Sequence, residues 1–507
     1  MICLSFGMDG VDRAAASPRP QDIRDASSAA SEAPQLARSL GLLDVTLYIV
    51  TAGSSLQWAA TAAAAGPSSL VVWLLAGLAM FLPLAICVVF LSSRYPDQGG
   101  LYIWSKRAFG PFAGFMTGWM YWTSNLPFFP AMLYFTAGSA LFWSGRADTA
   151  SRASPAYFIA FSVAAIAVAA VLNVRGLRRA TLLNSAGAIA RWLGTLLLVA
   201  LGLSTWWHYG PATTINRHTL IPEPNLREVQ FWATIVFAWI GAEGISLMGG
   251  EIRDPRRTVP RALALAAPMI VAVYLLGTAA VLLSVSTQHT SALYGVMDAI
   301  SISAARLGLV WLIPLGVLCV VFDRLGSVCL WLGTVARLPF VAGIDNYLPA
   351  SFAKLHPRHG SPAVAIWTQA ALAVLFVLLG QAGTSVSGAY NVLVDMMVAA
   401  SLLPFLPLFG AAIKLSGATA VAGESRIPGG RVTVVVMGAV GMATSTGAIV
   451  LACVPAPGEE HPTLAVLKVV GVTAAVLLSG AALYAGGARR ARRLERQARL
   501  ALPVTPA

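Results

Sequence analysis

From Leu42 onward the chain alternates between long apolar runs and short breaks built from glycine, proline and charge. A helix needs roughly 20 apolar residues to cross the hydrocarbon core of a bilayer. Runs of that kind fall near residues 42–64, 69–92, 111–142, 155–173, 181–206, 230–250, 261–286, 308–338, 362–380, 388–412, 432–454 and 463–486. The pattern predicts an all-α polytopic membrane protein of about twelve transmembrane helices. Two runs have weak centres: Gly53-Ser54-Ser55 in span 1 and Gly241-Ala242-Glu243-Gly244 in span 6. Glycine relaxes a helix, and serine can satisfy neighbouring backbone groups, so both segments could unwind. Backbone that leaves the helix at membrane depth is tolerated only where it is buried in protein or lines a cavity. A glycine pair alone is more often a packing site in a membrane helix. What separates these two is their equivalent placement five spans apart, the pattern of an inverted repeat with its site at two broken helices.

Composition supports a chain in lipid. Only 11% of the 507 residues are charged and 57% are hydrophobic, against roughly 25% charged in soluble domains; mean hydropathy is +0.73. The net charge of +13 does not imply nucleic acid, because its carriers sit mostly in short loops on one side of the predicted membrane and in the C-terminal tail. One side holds Arg94, Lys106, Arg107, Arg175, Arg178, Arg179, Arg253, Arg256, Arg257, Arg337, Lys354, Arg358, Lys414, Arg426 and Arg431, and then the tail arginines from Arg489 to Arg499. The other has a scatter such as Arg146, Arg152, Arg217 and Arg227. The positive-inside rule then puts both termini in the cytoplasm and the chain in the plasma membrane, the inner membrane if the source is bacterial. Residues 1–39, rich in Ser, Ala, Pro and Arg, read as a disordered cytoplasmic leader rather than a cleaved signal. Residues 488–507 form a basic cytoplasmic tail suited to anionic lipid headgroups, and equally to water.

The five cysteines show no disulfide or zinc spacing. His356 and His359 share a loop and make a poor metal site. There is no phosphate-binding loop and no nucleophile–base pair in a cleft, and every histidine falls in a loop. No enzyme activity, cofactor or metal is expected, and any work must draw on gradients or exchange.

Three blocks carry a resemblance. RYPDQGGLYIWSKRAFGPFAGFMTGWMYWTSNLPFFPAMLYF runs from Arg94, FAWIGAEGISLMGGEIRDPRRTVPRA from Phe237, and RLPFVAGIDNYLPASFAKLHPRHGSPAVAI from Arg337. In order and spacing they resemble the amino acid–polyamine–organocation transporters, over roughly residues 41–486. The resemblance implies a leucine-transporter-type 5+5 inverted repeat. Its transport core would be residues 40–413 (spans 1–10), with peripheral spans 11–12 in 414–487. It also implies an amino acid, an amine or a close relative as substrate. Amides freed at Gly53, Ser54 and Ser55 can receive a carboxylate, and carbonyls around Phe237, Ala238 and Ile240 an ammonium. Ser55 stands where the family usually has a second glycine, which narrows the site. Phe237 and Trp239 are the aromatics expected to gate it. Gly110, Gly114 and Gly118 recur every fourth residue and predict close helix packing.

Charges at membrane depth cost about 2.5–3.5 kcal/mol each and need a reason. Arg191 in span 5, Glu243 in span 6, Asp323 and Arg324 in span 8 and Asp395 in span 10 qualify. They are read either as buried ion pairs that fix helix register or as coupling and gating groups. In some proton-coupled relatives a span-5 lysine replaces a sodium ion, and Arg191 falls at roughly that place. An arginine keeps its proton, so it could tie spans together but not carry the proton. Glu243, beside the broken part of span 6, is the candidate carrier, and solute exchange without any ion stays open. The sequence therefore predicts a sodium-independent secondary transporter working by alternating access, with the 93–109 loop as part of an inner gate. One copy suffices for this mechanism, and a homodimer is compatible with it. The alternatives are a non-transporting solute sensor and a polyamine-specific permease.

Overall fold

The computed structural model describes residues 40–95, 99–144, 154–175, 177–223, 225–336, 338–339, 347–418, 427–455 and 461–501. The expected leader, residues 1–39, lies outside the described residues, as do Arg146, Arg152, Arg337 and Arg426. Among the described residues, ten helices are long and apolar enough to cross a membrane. They are Ser69–Arg94 (span 2), Pro111–Ser144 (span 3), Pro155–Arg175 (span 4), Leu182–Tyr209 (span 5) and Pro255–Ser284 (span 7). The others are Leu312–Val335 (span 8), Ala363–Gln381 (span 9), Val386–Leu415 (span 10), Gly430–Ala452 (span 11) and Pro462–Arg490 (span 12).

Spans 1 and 6 are missing from that set because each is cut into pieces too short to cross alone. Span 1 is Leu42–Gly53 followed by Leu56–Ala64; span 6 is Leu226–Ala238 followed by a 3₁₀ segment, Ala242–Glu251. The interruptions fall where glycine and serine weaken the apolar runs, five spans apart, as the inverted-repeat pattern requires.

Leu182, Ile189, Leu193, Leu196 and Leu203 are all exposed on span 5. Their spacings of seven, four, three and seven residues place them on one helical stripe. Such a stripe has no place in water, and lipid covers it. Enclosure differs among the spans. In spans 3 and 10, 78% of an 18-residue apolar stretch is buried, against 28% in span 11 and 17% in span 12.

Spans 5 and 8 form the most extensive helix pair. Glycine makes that contact possible: a Cβ on Gly187 would sit 2.8 Å from the Phe322 carbonyl oxygen, and one on Gly326 2.9 Å from that of Leu183. The expected role of Gly114 and Gly118 also has a partner. The 93–109 loop contains a helix, Gly100–Phe109, and Cβ atoms at those two glycines would meet Lys106 Cβ at 2.5 Å and Tyr102 Cδ2 at 3.2 Å. Gly110 differs, because it turns the chain at φ +93° with open space around it. A break at Leu403-Pro404 splits span 10 into Val386–Leu402 and Phe405–Leu415; proline's missing N–H suits such a position. A further helix, Gly295–Arg306, lies between spans 7 and 8.

Candidate functional site

At the interruption of span 1, Ser54 and Ser55 are extended, at φ −134° and −159°. Their hydroxyls replace part of the lost helical bonding. Ser54 Oγ donates to the Val50 carbonyl at 2.6 Å, and Ser55 Oγ accepts from the Gln57 amide at 3.3 Å, capping the second half-helix. In span 6 the helix ends at Ala238, and Gly241 turns the chain at φ +122°. A Cβ on Gly241 would stand 2.6 Å from the Ala52 carbonyl oxygen. The two interruptions therefore touch, and only glycine fits the point of contact.

The charges of spans 5 and 8 converge on the same place. Asp323 Oδ1 accepts from Arg191 Nε at 2.7 Å, and Asp323 Oδ2 accepts from Arg324 Nε at 2.9 Å. Arg191 also donates to Ser327 Oγ at 2.8 Å and to the Thr51 carbonyl. Arg324 Nη1 donates to Ser55 Oγ at 2.7 Å. Two guanidinium groups thus bind one carboxylate of span 8 and reach across to both sides of the span 1 interruption. All three side chains are almost completely buried, where only pairing and hydrogen bonding make charge tolerable.

Glu243 sits at the other interruption. Its Oε2 accepts from the Gly241 amide at 2.7 Å and its Oε1 from the Tyr121 hydroxyl at 3.1 Å. Tyr274 of span 7 joins the two breaks: its hydroxyl lies 2.9 Å from the Gly53 carbonyl oxygen and 2.8 Å from that of Ala238. These are the last residues of the two first half-helices, where unpaired carbonyls concentrate negative partial charge.

These groups enclose a cavity. Of the residues singled out in the sequence, Ser54, Ser55, Phe237, Ala238, Ile240, Glu243, Arg191 and Arg324 line it, while Gly53 borders it through its carbonyl and Asp323 lies behind the two arginines. Two expectations need correction. Trp239 does not face the cavity. Its indole packs over Gly77 of span 2, against Trp73, Phe81 and Tyr274, and donates to the Trp73 carbonyl at 3.2 Å. As the first residue beyond the helix end, it is turned away from the side that Phe237 faces. Asp395 is the other. It lines a second cavity with Thr61, Thr234, Thr290, Tyr390 and Asn391, about one helical turn further along spans 1 and 6. Of the five intramembrane charges singled out in the sequence, four thus gather at the first cavity and one lies at the second.

Between the cavities, Trp58 and Phe237 meet edge-on at 5.5 Å, and Gln57 Nε2 donates to Tyr390 Oη at 2.9 Å. Sequence reasoning missed Tyr274, Ser327, Trp58 and the Gln57–Tyr390 bond, all embedded in apolar runs. Ser124 and Asn125 of span 3 also line the first cavity, and both side chains donate to the Tyr121 carbonyl. Among the described residues no three of His, Cys, Asp or Glu converge as a metal site would require.

A bundle of membrane-crossing helices with a cavity lined by buried charges at two broken spans has the architecture of a membrane transporter. The family model for amino acid permeases matches residues 40–475, and the chain belongs to that family. Over 423 residues it is 26% identical to an uncharacterized transporter of Legionella pneumophila, covering 82% of this chain and 89% of the relative. It is 23% identical to a glutamate/gamma-aminobutyrate antiporter of Lactococcus lactis, over 80% of this chain and 82% of the relative. A probable agmatine/putrescine antiporter from the same species is 22% identical, over 63% and 67%.

Proposed function

We propose that this transporter is a secondary carrier of small amino-acid-like solutes, working by alternating access around the cavity between spans 1 and 6. It runs on a proton gradient or on exchange, without sodium. The observation that carries this reading is the contact of two interrupted spans around buried, paired charges. Arg191 supports sodium independence: a permanent cation already binds span 1 at the Thr51 carbonyl and span 8 at Asp323 and Ser327. Glu243 is the candidate coupling group, since a carboxyl held by one amide and one hydroxyl can change its protonation where an arginine cannot. The Trp58–Phe237 pair is the candidate gate toward the second cavity. Both termini lie in the cytoplasm in this reading, and the helix Gly100–Phe109 belongs to the inner gate. That two relatives are named antiporters favours exchange as the second form of coupling.

The test is uptake of radiolabelled amino acids and amines into proteoliposomes, with and without a pH gradient or internal solute. Proton symport predicts uptake that follows the gradient and loses that dependence in Glu243→Gln. Exchange predicts uptake that needs internal solute and ignores the gradient. No accumulation under either condition would favour a sensor and sink the carrier reading.

A further inference from the structure

The cavity is asymmetric in its charge. Arg191 and Arg324 both line it, with their guanidinium groups bound to Asp323, whereas Asp323 itself does not line it. The remaining acid at its wall, Glu243, already accepts from Gly241 and Tyr121. Arg324 also lies at Ser55, the cap of the second half-helix of span 1, where helix amides add positive potential. An ammonium entering here would meet two cations and the positive end of a helix, while an oxyanion would find a guanidinium and that helix end together.

The two carbonyls best placed for an ammonium already have a donor between them. The carbonyls that end the two first half-helices, at Gly53 and Ala238, both receive the hydroxyl of Tyr274. A phenol has one proton, so the two acceptors share it. The Phe237 carbonyl accepts from the Ile240 amide at 3.0 Å. Tyr274 is not easily displaced: its ring stacks on Trp73 at 4.0 Å and 7°, and Trp73 Nε1 is itself held by Thr278 Oγ1 at 3.0 Å.

We infer that the solute is anchored by a carboxylate, received by Arg324 beside Ser55, and that an α-ammonium is not required because the Tyr274 hydroxyl stands in its place. This rests on the carrier reading and narrows its substrate class: carboxylates bind with or without an α-amino group, and amines lacking a carboxylate do not. Arg324 and Tyr274 become the specificity-determining residues, the first for the anion and the second against the α-ammonium.

The test uses purified full-length protein and sets of three matched compounds: an amino acid, the same acid without its α-amino group, and the amine left when the carboxylate is removed. Glutamate, glutarate and 4-aminobutyrate are avoided as one set because all three keep a carboxylate. Alanine, propionate and ethylamine form a clean set, as do leucine, 4-methylpentanoate and isoamylamine, with putrescine and agmatine as further amines. Affinity is read from ligand-induced thermal stabilisation. Expected is binding by at least one acid, less than threefold lost on removing its α-amino group, and none from the amines. Arg324→Gln should abolish acid binding while the protein stays folded, since Asp323 keeps Arg191 as its partner. Tyr274→Phe frees both carbonyls and should raise affinity for the α-amino member over its deaminated partner at least fivefold. Amines that bind as well as acids, or a tenfold or greater loss on deamination in the native protein, would overturn the inference and leave the carrier reading standing. Silence from every compound would overturn both.

Discussion

The cluster of Arg191, Asp323 and Arg324 holds one more positive than negative charge, and the cost of removing a member depends on which is removed. Asp323 lies 2.7 Å from Arg191 Nε and 2.9 Å from Arg324 Nε. At an effective dielectric near 20, each contact is an attraction of about 6 kcal/mol before desolvation is counted. Asp323→Asn forfeits both and strands two buried guanidiniums, where losing a single partner from a buried pair already costs about 3–5 kcal/mol. Arg191→Met removes a cation and leaves Arg324 paired one to one. Its main penalty is the Thr51 carbonyl, which loses a charged donor, worth about 2 kcal/mol. In the double variant one guanidinium is stranded instead of two, so the costs should fall short of additive by about 2 kcal/mol, well beyond the ~0.5 kcal/mol scatter of independent sites. Reversible unfolding in mixed micelles, followed by tryptophan fluorescence, measures all four corners of the cycle. Costs that add within that scatter, or an Arg191→Met penalty larger than that of Asp323→Asn, would refute the view that Asp323 holds the cluster by neutralising both arginines.

Other outcomes follow from single contacts. Gly241→Ala must place a Cβ against the Ala52 carbonyl at φ +122°, adding about 1–2 kcal/mol of backbone strain to the clash; transport should fall more than tenfold, while Gly447→Ala, with open space around it, should be silent. Tyr390→Phe removes the one bond recorded for the buried Gln57 amide group, whose Oε1 has no partner among the described residues. The expected loss is about 1–3 kcal/mol of stability in the same unfolding assay. On the helix between spans 7 and 8, burial pushes the Asp298 carboxyl up to about 6. The folded state then binds more protons than the unfolded chain between about pH 4 and about pH 6, so this contribution to stability falls as pH rises through that window and is flat above it. Asp298→Asn should remove that slope and gain about 1 kcal/mol at pH 7, after discounting for partial exposure; an unchanged slope would show that another group sets it.

In the proposed cycle, an arginine doing the work of a bound ion would have a mechanical consequence. A metal ion between two spans can leave when they separate, and its departure can be part of the cycle. Arg191 is covalently fixed to span 5, which is itself packed through Gly187 and Gly326 onto span 8. Any movement of span 1 away from this pair must therefore break the Thr51 and Ser55 contacts with no ion released. Within the proposed cycle, the force that reopens those contacts has to come from the solute or from Glu243. In that cycle span 1 moves against spans 5 and 8, so a crosslink between spans 5 and 8 should be tolerated where one between spans 1 and 8 is not.

How much of this was legible along the chain follows from what each signal measures. Hydropathy reports the length and position of each span along the chain, and those were readable: the spans lie within a few residues of their expected positions, and both interruptions fall at the weak centres around Gly53-Ser54-Ser55 and Gly241. Backbone weakness is also local, so Ser54, Ser55 and Gly241 announced themselves. What one dimension does not encode is azimuth. Successive helix residues point about 100° apart, so Phe237 and Trp239 look alike in the sequence, yet one lines the cavity and the other packs over Gly77 of span 2. Asp323 and Asp395 carry the same charge at similar depth, but only Asp323 is on the face that meets span 5. Tyr274 was the hardest to see. Its hydroxyl matters because two carbonyls from spans 1 and 6 arrive at the same point, and that coincidence belongs to the packing of three helices and to no segment of any one of them.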